Sequence, residues 1–94
     1  MARAYTEIAV TSATYGTSPD VSAAFEPRRW RFFPRSAGGN DIAYSFDGIN
    51  DDGKLAGGAP VNSYVEEFVR SKKLWLRKTA GAPTVGVRVG DDGI

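Results

Sequence analysis

The sequence predicts an all-β fold: a single small antiparallel β-sandwich, jelly-roll-like, with about six to eight strands. Three observations carry this. Apolar residues recur at every second position in short runs. Gly, Pro, Asn and Asp bound those runs. Turn signals arrive about every 8–12 residues. At 94 residues the chain is read as one domain, residues 1–94, with a modest core.

The elements follow in order. Tyr5 to Thr14 reads as a strand, with Ile8 and Val10 on one side and Glu7, Ala9 and Thr11 on the other. Tyr15 to Asp20 is turn or loop. From Phe25 to Pro34, Trp30 and Phe32 alternate with Arg29, Arg31 and Phe33, giving an aromatic face and a basic face. Pro27 and Pro34 bracket that strand because proline cannot donate to a ladder. In the strand Asp41 to Asp47, Ile42, Tyr44 and Phe46 face one way and Ala43 and Ser45 the other. From Gly48 to Pro60 the chain reads as loop, with Leu55 as a lone anchor in the core.

Val61 to Lys78 admits two readings. Val61, Tyr64, Val65, Phe68 and Val69 have helical spacing, and Ser63 with Glu66 matches a capping box. Val61, Ser63, Val65, Glu67 and Val69 also alternate, and Leu74 to Arg77 reads as a strand. Two strands joined at Arg70 to Lys73 are preferred, with a short helix near residues 63–70 left open. In the last strand Val85, Val87 and Val89 share one face, and Thr84, Gly86 and Arg88 the other. The expected core is therefore Ile42, Tyr44, Phe46, Leu74, Leu76, Val85, Val87 and Val89, with Trp75 on the opposite side of its strand from Leu74 and Leu76.

Composition narrows function. Twelve basic against 11 acidic residues leave a net charge of +1, which argues against a surface made for nucleic acid. Histidine and cysteine are absent, which removes disulfides, thiolate nucleophiles, Ser-His-Asp triads and most zinc sites. No apolar run approaches the ~20 residues of a membrane-spanning helix, and the first residues carry no secretory leader pattern. No cofactor is expected, since the glycines at 38, 39, 53, 57 and 58 match no phosphate-binding spacing. The carboxylate doublets Asp51/Asp52, Glu66/Glu67 and Asp91/Asp92 are adjacent in sequence, so on a strand their side chains point apart and cannot act as a catalytic pair. The Asp47–Gly53 loop is rich in carboxylates, but it fails the calcium-loop template and is read as turn chemistry.

Two basic clusters remain, Arg28 to Arg35 and Arg70 to Lys73. Arg28, Arg29, Arg31, Arg35, Lys72 and Lys73 are the candidate polar contacts of a protein interface, and Phe33 and Trp75 are its candidate aromatic anchors. Glu66 and Glu67 are expected to pair with the second cluster. In the first cluster, rings and cations alternate, which sets them on opposite faces and weakens a single-strand nucleic-acid reading. Its arginines are expected to face solvent or a partner, so reversing Arg29 and Arg31 to Glu should leave folding intact. At least one of Trp30, Phe33 and Trp75 is expected to be buried between chains or against a partner.

The strand Ile42-Ala43-Tyr44-Ser45-Phe46-Asp47-Gly48, the later Leu74-Trp75-Leu76-Arg77 and the closing Val85-Gly86-Val87-Arg88-Val89 resemble small structural proteins of tailed-phage virions, of the capsid decoration or cement type. The resemblance covers roughly the C-terminal two-thirds of the chain. It implies a β-sandwich without catalytic residues, binding between subunits of the major capsid protein, and a homo-oligomer, commonly a trimer. It also implies synthesis in the host cytoplasm and a place on the outer capsid surface, with the basic clusters facing the shell. Another virion part (a head–tail connector or tail protein) and a nucleic-acid-binding β domain are the alternatives.

Overall fold

The computed structural model describes residues 3–34, 41–55, 64–81 and 83–91. Eight strands run through them: β1 (Arg3–Ala9), β2 (Val21–Ser22), β3 (Arg29–Pro34), β4 (Asp41–Ser45), β5 (Gly53–Leu55), β6 (Val65–Glu67), β7 (Lys73–Ala80) and β8 (Thr84–Gly90). They form two four-stranded antiparallel sheets, β1-β8-β3-β6 and β2-β7-β4-β5.

The pairing has a simple rule. β4 pairs with β5, β3 with β6, β2 with β7 and β1 with β8. The chain is thus one long antiparallel ribbon folded back at β4–β5. Rolling that ribbon brings β8 beside β3 and β7 beside β4, which completes both sheets. This is the jelly-roll arrangement, and it confirms the fold class read from the sequence.

The core lies between the sheets. Trp30 and Phe32 of β3 and Val85, Val87 and Val89 of β8 face inward from one sheet; Ile42, Tyr44, Leu55, Leu74 and Leu76 face inward from the other. The alternation decides this, because a one-residue slip would turn every one of these side chains to solvent. Phe32 and Tyr44 meet across the layers with ring centroids 4.5 Å apart. Trp30 is wholly buried, and its indole N–H donates to the Ser71 carbonyl at 3.1 Å, so its burial strands no donor. Each such side chain contributes about 1.5–3 kcal/mol relative to exposure.

Several expectations need correction. The first strand ends at Ala9, and Val10, which the expected core did not include, is buried. Val21–Ser22 is a strand in a stretch that the sequence reading left unassigned, and Gly53–Leu55 is a strand where it expected a loop, with Leu55 as its buried anchor. Between 64 and 70, Val65–Glu67 is strand and no helix forms; Ser63 lies outside the described residues. Phe46 is half-buried rather than fully so, its ring 5.9 Å from both Trp30 and Tyr44.

Ala43 and Ser45 do face away from the core, yet both are fully buried. The turn that follows β4 folds back on Ser45, whose hydroxyl donates to Asp47 at 2.7 Å and accepts the Gly48 N–H at 2.9 Å. Trp75, paired with Ser45, lies beneath Gly48, where a Cβ would come within 2.8 Å of the indole ring. Gly48 also has φ 77°, a left-handed conformation that other residues adopt only with strain.

Candidate interaction face

The outer side of the β1-β8-β3-β6 sheet is built from the residues that alternate away from the core. β1 contributes Arg3, Tyr5 and Glu7, β8 contributes Arg88 and Gly86, and β3 contributes Arg29, Arg31 and Phe33. Glu66 comes from β6, with Tyr64 just before that strand. Register sets their positions: Tyr5 stands opposite Arg88, Arg88 opposite Arg31, and Arg31 opposite Glu66.

An aromatic row crosses this face. The Tyr5 ring is 6.2 Å from Phe33, and Phe33 is 5.7 Å from Tyr64. Between β1 and β3 the row passes over Gly86, whose missing side chain lets the Tyr5 ring lie on the backbone of β8. Tyr5 and Tyr64 remain about half exposed, at 46% and 48%. The Arg31 guanidinium sits 4.9 Å from the centroid of the Tyr64 ring, a cation–π contact. A shallow depression of about 290 Å³ beside the row is lined by Arg3, Ala4, Tyr5 and Arg88.

The charges are internally organised. The Arg31 Nε donates to a Glu66 carboxylate oxygen, and the Arg29 Nε lies 3.8 Å from the same oxygen. The side chains of Arg29, Arg31 and Glu66 are 14%, 26% and 24% exposed, so the cluster is half covered rather than free in solvent. Glu66 therefore pairs with the first basic cluster. Glu67 turns inward, where it accepts the Tyr44 hydroxyl at 2.5 Å. Burial, and then that bond to Glu67, push the Tyr44 phenol above its ordinary range.

The other predicted contact residues are dispersed. Arg28 is exposed just before β3, its backbone N–H donating to the Gly90 carbonyl at 2.8 Å. Lys72 and Lys73 are exposed at the start of β7, where the Ser71 bond to Trp30 holds them at the end of the sandwich at which β3 begins. Trp75 lies on the outer side of the other sheet, half-buried, and its indole N–H has no hydrogen-bond partner among the described residues. Arg35 lies outside the described residues. Trp30 is wholly inside the chain and takes no part in any surface. The structure thus brings together Arg29, Arg31 and Phe33 and separates them from Trp75. It adds Tyr5, Tyr64 and Arg88, which the sequence reading did not select. The lone Gly86 inside a valine strand was the available signal, since such a glycine marks a close approach.

On the opposite side, the acidic loop is structural. Asp47 accepts the N–H groups of Ile49 and Asn50 at 2.8 and 2.9 Å, and these bonds, with one from Ser45, hold its carboxyl far below the usual range. Asp52 accepts the Phe46 N–H at 2.7 Å. Asp51 accepts two bonds from Arg77, at 2.6 and 3.1 Å, and one from the Tyr15 hydroxyl at 2.5 Å. Arg77 first, and Tyr15 second, lower the Asp51 carboxyl to about 2. Among the described residues no group of three or more acidic side chains is placed to hold a metal ion.

No protein-family model matches the chain, and no curated protein matches it. Among solved structures, one from Bacillus, reported under the words "Bacillus endospore appendages form a novel family of disulfide-linked pili", is similar to it. That likeness has a TM-score of 0.46 and 13% identity, and covers 94% of this chain and 84% of the other. At this level it carries nothing about function.

Proposed function

We propose that the protein is a structural interaction module that works by docking the outer side of its β1-β8-β3-β6 sheet on another protein. The partner that the sequence resemblance implies is the shell of a tailed-phage capsid, with the module as a decoration or cement protein on its outer surface. The observation that carries the docking reading is the aromatic row Tyr5–Phe33–Tyr64 flanked by Arg31 and Arg88. Interface centres are enriched in tyrosine, phenylalanine and arginine, and a half-exposed row of this kind is what a partner covers. Among the described residues of this face, Arg3, Arg29, Arg31 and Arg88 stand beside Glu7 and Glu66, a basic excess that favours an acidic surface opposite. The jelly roll is itself shared with viral shell domains, which supports the reading by analogy only.

Contact area of this kind would clamp neighbouring subunits and oppose pressure from packaged DNA. The rings are tilted to one another by 58° and 46°, unlike a flat platform for stacked bases, so nucleic acid is the weaker partner. The test is cosedimentation with purified shells lacking the protein, alongside a DNA shift assay at two salt concentrations. Saturable shell binding without DNA affinity supports the proposal. Steeply salt-dependent DNA binding without shell binding would overturn it.

A further inference from the structure

We propose that the end of the sandwich where β3 and β7 begin is a second contact surface, and that it takes an acidic, extended segment of a partner protein. Two connections cross this end. Residues 23–28 run from β2 to β3, and residues 68–72 run from β6 to β7. They are tied to one another and to the core. The Ala23 N–H donates to the Lys72 carbonyl at 2.7 Å, and the Trp30 indole N–H donates to the Ser71 carbonyl at 3.1 Å. Glu67 stands opposite Trp30, so the chain leaves β6 beside the start of β3.

Both connections alternate as extended chain does. Ala23, Phe25 and Val69 pack against the core, and Pro27 is fully buried. These residues plug the open end between the sheets, which turns their neighbours out. Arg28, Phe68, Arg70 and Lys72 are exposed as a result, and Lys73 is exposed at the first position of β7. The Ser71 hydroxyl donates to the Lys73 carbonyl at 2.8 Å and accepts the Lys73 N–H at 3.2 Å. The backbone that carries the cations is therefore fixed before a partner arrives, which lowers the ordering cost of binding.

The charge of this end names its partner. Against Arg28, Arg70, Lys72 and Lys73 stand Glu26 and, just past β8, Asp91. Among the described residues none of the four cations is held in an ion pair, whereas Arg29 and Arg31 share Glu66 and Arg77 is held by Asp51. Phe68 is 62% exposed and shares the outward side of its connection with Arg70 and Lys72. Cations set about one apolar ring match carboxylates that flank an apolar side chain, and such complementarity fixes register. A phosphate backbone offers the same anionic chemistry but fits less well. The net charge of +1 gives little long-range attraction to nucleic acid, and one exposed ring is short of the row that stacked bases need. A module that holds two neighbouring subunits needs two contact surfaces, and this end is apart from the outer side of the β1-β8-β3-β6 sheet. Binding here does not depend on shell docking through that sheet, and either can fail without the other.

The test is an NMR titration of the full chain with two synthetic peptides, one of six glutamates and one with two glutamates on either side of a leucine. Amide shifts should concentrate in residues 22–28 and 68–73, and the leucine peptide should bind more tightly. Arg70→Glu and Lys72→Glu should each weaken binding roughly tenfold. Lys54→Glu makes the same change in net charge at an exposed position on β5, and it should weaken binding less than twofold. Phe68→Ser should remove the advantage of the leucine peptide. All four substitutions fall at exposed positions, and thermal melts verify that each variant folds. Binding of neither peptide, equal losses for Lys54→Glu and Lys72→Glu, or a single-stranded DNA of six nucleotides bound as tightly as the peptides would each overturn the proposal.

Discussion

The ring of Tyr5 lies on Gly86, filling the space that any side chain at position 86 would take. The contact binds the outermost strand to its neighbour from the solvent side, and it carries the aromatic row from β1 to β3.

Gly86 and Gly48 should respond differently to alanine. At Gly86 the first obstacle is the far end of the Tyr5 side chain, which can swing away, so Gly86→Ala should change stability by under about 0.5 kcal/mol while displacing the ring. At Gly48 the obstacle is the Trp75 indole and the backbone is left-handed, so Gly48→Ala should cost about 1–3 kcal/mol. Denaturant melts of both variants check this. Equal costs would mean that the Tyr5 ring is held as firmly as the indole.

Core truncations should rank by burial. Phe32 is fully buried between the sheets, so Phe32→Ala should cost about 3–5 kcal/mol. Phe46 is only partly covered, so Phe46→Ala should cost less, about 2–3 kcal/mol. The order of the two denaturation midpoints is the readout.

How far the sequence told this in advance varies by element. β3, β4, β7 and β8 were legible because each alternates against the core, and the predicted inward faces hold Trp30, Phe32, Tyr44, Leu76 and the three valines. β2 and β5 were not, because two or three residues carry no period; pairing with β7 and β4 makes them strands. The partners of Glu66 were missed for a related reason. It is close in sequence to Arg70 and Lys72, but the β3–β6 register sets it opposite Arg31, a long-range fact. Likewise Ala43 and Ser45 look like solvent-face residues, yet both are fully buried, Ser45 paired with Trp75 from the distant strand β7.

That register changes one expectation. Reversing Arg29 and Arg31 to Glu would place three carboxylates together with Glu66 on a half-covered surface. The double variant should therefore lose about 1–2 kcal/mol rather than remain neutral. Adding Glu66→Arg should recover much of that loss in the same melts.

Stability should fall at both pH extremes for identifiable groups. Asp51 titrates at about 2 in the folded chain, below the usual range near 4, so its contribution is present above about pH 4 and is lost as pH falls toward 2. Asp47 acts in the same direction. Asp51→Asn should flatten this acid limb. The Tyr44 and Tyr15 phenols are raised, chiefly by burial and then by carboxylate bonds, so their contribution is present below about pH 10 and is lost above it. Absorbance of tyrosinate on an alkaline titration should show these two ionising late, together with unfolding.

The most direct test of docking through the β1-β8-β3-β6 sheet compares the two outer sides of the sandwich in one shell-cosedimentation assay. Phe33→Asp puts a charge in the middle of the aromatic row, and Ile49→Asp puts one on the opposite side, where Ile49 is 80% exposed. The account predicts that Phe33→Asp lowers shell occupancy at least tenfold while Ile49→Asp binds like the unmodified chain. Loss of binding by Ile49→Asp with Phe33→Asp unaffected would contradict it.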